Sequence, residues 1–168
     1  IPDQKILIKG DKAIYDKINS ELIVIGNVKF FDNQNDVIIE SEKAIYKEIE
    51  NIIFTKGKKK INFENKYEME SKDVLYDRNS KLIISDEDTK VFDDKNNIYN
   101  FITGFVFDST KEIISSKETN VIDNENNSYA FENVKVNLLT KNLVGKEIKN
   151  EFRDDFFGIE KNDPQLKG

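Results

Sequence analysis

One five-residue phrase returns down the chain and limits what the polypeptide can fold into. Lys12-Ala13-Ile14-Tyr15-Asp16 comes back as Lys43-Ala44-Ile45-Tyr46-Lys47 and as Asp73-Val74-Leu75-Tyr76-Asp77. A fainter copy is Gly104-Phe105-Val106-Phe107-Asp108, and a fifth is Asn133-Val134-Lys135-Val136-Asn137. The aromatic anchors Tyr15, Tyr46, Tyr76 and Phe107 stand about thirty residues apart. A constant period in that range marks stacked supersecondary units. Each unit here is a small residue, an apolar residue and an aromatic leading into a polar turn, which describes a strand entering a hairpin.

The intervening residues fit the same pattern. After a short lead-in, Ile1–Gln4, the strands expected are Ile6–Lys9 and Lys12–Asp16, then Glu21–Asp32, Asp36–Lys47, Asn51–Glu64, Tyr67–Arg78 and Lys81–Asp94. Asn97–Ser109, Glu112–Asn124, Ser128–Thr140 and Asn142–Phe152 continue the series. Turns such as Lys17–Ser20, Asn33-Gln34-Asn35, Asn79-Ser80, Lys95-Asn96 and Glu125-Asn126-Asn127 separate them. Asn and Asp suit these turns because they tolerate left-handed backbone and bond their own main chain. Period-2 alternation is clear at Val28-Lys29-Phe30, Ile61-Asn62-Phe63 and Val134–Leu138, and β-branched and aromatic residues fill the apolar positions. The fold class is all-β.

Most segments from Glu21 onward are eleven to fourteen residues long and carry a polar or glycine break near the middle. The breaks are Gly26-Asn27, Ser41-Glu42, Lys56-Gly57, Ser71-Lys72, Asp86-Glu87-Asp88, Ser115-Ser116, Glu132-Asn133 and Gly145. A break at mid-strand lets the strand turn a corner from one sheet to another. About ten bent antiparallel strands then stack by hairpins into an open-ended two-sheet jellyroll, V-shaped, joined along one edge. One parity of side chains lines the trough between the sheets.

Composition narrows the function. The 168 residues carry a net charge of −6, with 35% charged and 38% hydrophobic residues, so nucleic acid is not an expected partner. The absence of His and Cys rules out, within these residues, a Ser-His-Asp triad, a thiol nucleophile, a Cys/His zinc site and a disulfide. Paired carboxylates at Asp93-Asp94 and Asp154-Asp155 point to opposite faces of a strand, so neither pair converges on a substrate. No enzyme activity and no metal or cofactor is expected. Asp123-Asn124-Glu125-Asn126-Asn127 lacks the glycine and distal glutamate of a calcium loop and reads as a turn. Lys56-Gly57-Lys58-Lys59-Lys60, the basic run, could meet lipid phosphates but reads as a solvated bend.

Ala-x-x-Tyr-Asp, followed by an apolar strand and Gly26-Asn27-Val28, resembles the OstA-like repeat of the lipopolysaccharide-transport machinery of Gram-negative bacteria. The resemblance runs from Lys5 to Phe152. Phe156-Phe157-Gly158 with Asn162–Gly168 is similar to the segment that joins this jellyroll to a β-barrel in the LptD family of outer-membrane translocons. Residues 1–152 are then the jellyroll domain and 153–168 a linker towards a barrel absent from this sequence. Many relatives carry cysteines in this domain that pair with the barrel, and this chain departs from that pattern.

The resemblance implies a domain at the periplasmic face of the outer membrane. It would receive lipopolysaccharide from an LptA-like bridge protein and guide its acyl chains to the barrel and its LptE-like plug lipoprotein. Its lining, chosen by alternation, is Val28, Phe30, Tyr46, Ile61, Phe63, Met69, Tyr76, Phe105, Phe107, Phe131, Val134 and Val136. The same residues could simply pack a β-sandwich. The docking edge for the bridge protein is the short first strand Ile6, Leu7, Ile8 and Lys9, with Leu7 as the place for a disrupting proline. A free bridge protein is the alternative within the family. A carbohydrate-binding or adhesive solenoid is the alternative outside it, and would present its aromatics to solvent.

Overall fold

The computed structural model describes residues 5–63, 67–93, 95–140 and 142–151. They form fifteen strands. These are β1 (Ile6–Lys9), β2 (Lys12–Asp16), β3 (Glu21–Asp32), β4 (Val37–Lys47), β5 (Ile52–Lys56), β6 (Lys58–Phe63), β7 (Tyr67–Lys72) and β8 (Leu75–Asp77). Then follow β9 (Leu82–Ser85), β10 (Thr89–Phe92), β11 (Ile98–Phe101), β12 (Phe105–Asp108), β13 (Ile113–Ile122), β14 (Ser128–Asn137) and β15 (Asn142–Glu151). All pairings are antiparallel.

The strand count exceeds the expected ten because the mid-strand breaks cut several segments in two. Gly57 separates β5 from β6, Asp73-Val74 separates β7 from β8, and Asp86-Glu87-Asp88 separates β9 from β10. In β3 the corner is a bulge between Ile25 and Val28, with Gly26 and Asn27 both left-handed. A further break at Ile102-Thr103-Gly104 parts β11 from β12, where no break was expected. Gly104 has φ 84°, and a Cβ there would run into the carbonyl oxygen of Ser85. Only glycine meets both demands cheaply.

Each bent strand contributes one half to each sheet. The first sheet runs β2, β3 (21–25), β4 (43–47), β5, β8, β9, β12, β13 (113–116), β14 (134–137) and the start of β15. The second runs β1, β3 (28–32), β4 (37–40), β6, β7, β10, β11, β13 (119–122), β14 (128–132) and the end of β15. The corners lie along one side of the molecule and the hairpin tips along the other. This is an all-β antiparallel jellyroll. β1 and β2 together make one terminal rung and β15 the other, each paired on one side among the described residues.

The tips are built by Asx turns. Asp93 and Asp123 make the same set of bonds: each accepts from backbone N–H groups two and four residues on, from an Asn side chain, and from the hydroxyl of Tyr99 or Tyr129. The carboxylate at 123 is therefore spent on turn donors, as a turn requires. Outside, the two sheets differ. The second carries an ionic row, Lys29, Glu40, Lys60, Glu70 and Lys90, on successive rungs. The first carries an apolar row, Ile14, Ile23, Ile45, Phe54, Leu75, Ile84 and Val106. Lys29–Glu40 and Lys60–Glu68 close at 2.7 Å, and the alternation of sign favours this register over a slipped one. A groove of about 550 Å³ lies over the ionic row.

Candidate functional site

The interior is organised as two unbroken ladders of side chains, one on each sheet. On the first sheet the ladder is Tyr15, Leu22, Tyr46, Ile53, Tyr76, Ile83, Phe107, Ile114, Val136 and Leu143, each opposite the next. The repeat anchors Tyr15, Tyr46, Tyr76 and Phe107 occupy every second rung of this one line. A thirty-residue period is two bent strands, so it returns the chain to the same sheet, direction and parity. On the second sheet the ladder is Ile8, Phe30, Ile39, Ile61, Met69, Val91, Tyr99, Val121 and Tyr129.

The ladders face each other and touch. Phe30 meets Tyr76 edge to face with centroids 6.2 Å apart, and in the flanking rows nearer the corner Phe101 meets Phe105 at the same separation. The middle of the molecule is fully packed: Phe30, Ile39, Ile53, Ile61, Met69, Tyr76, Ile83, Val91 and Phe107 have no exposed surface. Each such side chain contributes ~1.5–3 kcal/mol by leaving water. At the ends the cover thins, and Tyr15 is 50% exposed where the first-sheet ladder reaches the terminal rung.

Eleven of the twelve residues chosen from the sequence are buried between the sheets. Tyr46, Tyr76, Phe107 and Val136 belong to the first ladder, and Phe30, Ile61 and Met69 to the second. Val28, Phe105, Phe131 and Val134 lie in flanking rows nearer the corners. Phe63 ends β6, and its side chain falls outside the described residues. Because Tyr46, Tyr76 and Phe107 point inward, they form no aromatic platform for sugars. Sequence reasoning missed Ile39, Ile53, Ile83, Val91, Phe101 and Ile114. Alternation within a strand cannot choose between two inward residues on either side of a corner, whereas the cross-strand register does.

Two seams hold the sheets together. Along the corner they are covalently continuous through β3, β4, β13, β14 and β15, and hydroxyls bond the polar groups at the bends. Ser71 Oγ lies 3.0 Å from Ser85 Oγ and 2.6 Å from Thr89 Oγ1. Thr55 donates to the Val74 carbonyl, and Ser116 to that of Gly104. At the tips the link is ionic. Arg78, just after β8 on the first sheet, donates from Nε to Asp32 Oδ2 at 2.8 Å, on the second sheet. Both side chains are shut off from solvent, at 5% and 0% exposure. Asp32 also accepts from Tyr76 Oη, Asn35 Nδ2 and the Gln34 N–H, while Arg78 reaches Asn51 Oδ1 at 2.7 Å. Further along, Tyr67 Oη donates to the carbonyl of Leu138 at 3.1 Å, from β7 to the residue after β14.

Burial alone would raise the Asp32 carboxyl, but the hydrogen bonds from Arg78, Asn35, Gln34 and Tyr76 outweigh it and hold the group below the usual carboxylate range. Burial and the Asp32 charge push the Tyr76 hydroxyl well above its ordinary value, so it stays a donor. The pair is permanently charged near neutrality. Nothing in this arrangement resembles an acid–base or nucleophilic constellation, and no metal-ligating cluster of three acidic residues exists among the described residues.

At the terminal rung, β1 bonds β3 through Lys5, whose carbonyl accepts from Asn33 N–H at 3.2 Å. With Ile6 opposite Asp32, the bonding positions are therefore 5, 7 and 9, and the Ile8 N–H faces the open edge. A proline at Leu7 would break the ladder to β3, so the register moves the edge-specific substitution to Ile8. β2 shares this edge, a feature the sequence reading did not assign. Of the basic run, Lys56 is exposed beside the Gly57 corner and Lys60 is paired with Glu68 and Glu70, as a solvated bend would be. The tail at 152–168 lies outside the described residues.

No protein-family model matches this sequence, and no curated protein matches it. A solved structure does. The chain superposes on LptH of Pseudomonas aeruginosa, described as the LptA homologous periplasmic component of the conserved lipopolysaccharide transport device, with a TM-score of 0.58. The match covers 68% of this chain and 82% of that one at 15% identity. The two share a fold.

Proposed function

We propose that this chain carries the acyl chains of lipopolysaccharide between its sheets, as the periplasmic jellyroll domain of an outer-membrane translocon. The observation that carries the reading is the pair of facing apolar ladders, which run rung by rung from β2 to β15 on the first sheet and from β1 to β14 on the second. A compact sandwich needs a core, but it does not need the same line of contacts on every rung. A cargo that slides does. Each methylene withdrawn from water is worth ~0.8 kcal/mol, so ten held at one point would bind by about 8 kcal/mol and stall. Equivalent contacts on successive rungs let the cargo exchange one for the next without a deep minimum. The shared fold with LptH, itself named as a transport component, supports the same reading.

In this scheme an LptA-like bridge protein docks on the β1 edge, and cargo moves towards β15, the barrel and its LptE-like plug. The same fold likeness gives specific support to a second reading, a free bridge protein. The mass of the native polypeptide separates them, because a translocon continues for a whole barrel beyond Gly168.

The test is a photo-crosslinking amino acid at Phe107, inside, and at Lys29, outside. In cells with lipopolysaccharide transport running, the adduct should form at Phe107 and not at Lys29. Equal labelling at both positions would remove the case for an interior path. For docking, Ile8→Pro should weaken binding to the bridge protein while leaving the melting transition close to that of the parent. Unchanged binding would move the docking surface elsewhere.

A further inference from the structure

Resting on the lipid-carrying reading above, we infer that acyl chains enter sideways between the hairpin tips, and that the Asp32–Arg78 pair is the clasp that holds this seam shut. The packed middle of the interior leaves no bore. Phe30 and Tyr76 are in ring contact and have no exposed surface, so a chain passing between them requires the sheets to part there. The corner cannot be where they part. Five strands, β3, β4, β13, β14 and β15, cross it without interruption, and the hydroxyl bonds of Ser71, Ser85 and Thr89 reinforce it. The corner is a hinge. The described cross-sheet bonds at the tips are side-chain bonds, those of Asp32 to Arg78 and Tyr76 and that of Tyr67 to Leu138.

A charged clasp suits a seam that must close in one register and still open. Burial costs both ions their hydration, and their attraction roughly offsets that cost when the geometry is good. Opening returns water to both, so a paired seam separates more readily than an apolar one of equal area. Closing restores one arrangement, because the guanidinium presents a fixed fork to a carboxylate already oriented by Asn35 and Gln34. An apolar pair in the same place would close more tightly and with less definition.

These 168 residues contain no cysteine, so a pair introduced at Gln34 and Ser80, exposed on tips flanking the clasp, is unique among them. In the full chain, bridging Gln34→Cys/Ser80→Cys with a short bis-maleimide should cut capture of purified lipopolysaccharide by a photo-crosslinker at Phe107 at least tenfold. The unbridged double variant should capture like the parent. Asp32→Leu/Arg78→Met, an apolar clasp that folds without stranding a charge, should slow capture severalfold while raising or preserving the melting temperature. Nitroxides on the same two cysteines should show one short distance alone and a second, longer one with lipid. If the unbridged protein captures lipid and the bridged and apolar-clasp forms capture it equally fast, the side-opening inference falls and the lipid reading stands. If Phe107 captures no lipid even in the unbridged protein, the lipid reading itself fails.

Discussion

The two seams of this molecule do the same job by different chemistry. At the corner, the sheets are joined by continuous backbone and by neutral hydroxyls bonded to each other and to carbonyls at the bends. At the tips, the described links are hydrogen bonds donated by side chains, centred on a buried carboxylate that accepts from Arg78 and Tyr76 of the opposite sheet. A neutral bond at a covalent hinge can be lost with little effect. A charge at a non-covalent seam cannot, because whatever survives is left buried without its counterpart. The difference teaches that the tips, not the corner, set whether the two sheets stay together.

The sharpest break comes from removing one member of the clasp. Asp32→Ala strands the Arg78 guanidinium and should cost about 3–5 kcal/mol, read as a fall in the urea midpoint. The effect has a pH signature. Asp32 titrates below its unfolded value, so its contribution is fully present above about pH 4 and is lost as pH falls through the lower, folded value. The gap between parent and Asp32→Asn should therefore narrow on acidification; a gap that stays constant to pH 2 would mean the carboxylate is not the source. Tyr76→Phe keeps the ring against Phe30 and removes one donor to a charge, for about 1.5–3 kcal/mol. At the corner, Thr89→Val removes bonds to Ser71 and to the Glu87 carbonyl and should cost only ~1 kcal/mol. Should it match Asp32→Ala, the contrast between seams is wrong. The smallest change belongs to the outer ionic row. Lys60 is exposed and paired, so Lys60→Ala should shift the urea midpoint least of all, and less still in high salt.

Much of this is legible in the sequence. The repeat of Tyr15, Tyr46, Tyr76 and Phe107 reports the sheet, and the segment Glu21–Asp32 matches β3 residue for residue. The breaks at Gly26-Asn27, Lys56-Gly57 and Asp86–Asp88 report the corners, because left-handed or polar backbone leaves a signature in composition. The corner at Ile102–Gly104 was hidden because two apolar or β-branched residues precede its single glycine. The clasp was invisible for a deeper reason. Asp32 and Arg78 look like ordinary turn and strand-end residues, and their meeting depends on which rung of one sheet crosses which rung of the other. No local pattern encodes that crossing.

Nearly every rung is hydrogen-bonded to a neighbour close to it in the chain, so such a polypeptide can assemble by zipping, hairpin upon hairpin, from more than one starting place. The ties across the tips are another matter: Tyr76 and Asp32 are 44 residues apart, Arg78 and Asp32 46, Tyr67 and Leu138 71. They can form only once the rungs between have zipped, which puts them late on the folding path. Losing the clasp should then leave the refolding arm of a chevron nearly where it was and steepen the loss on the other side, with the unfolding rate absorbing most of the change. The residues that fasten the tips would govern how long the folded molecule lasts rather than how fast it is made.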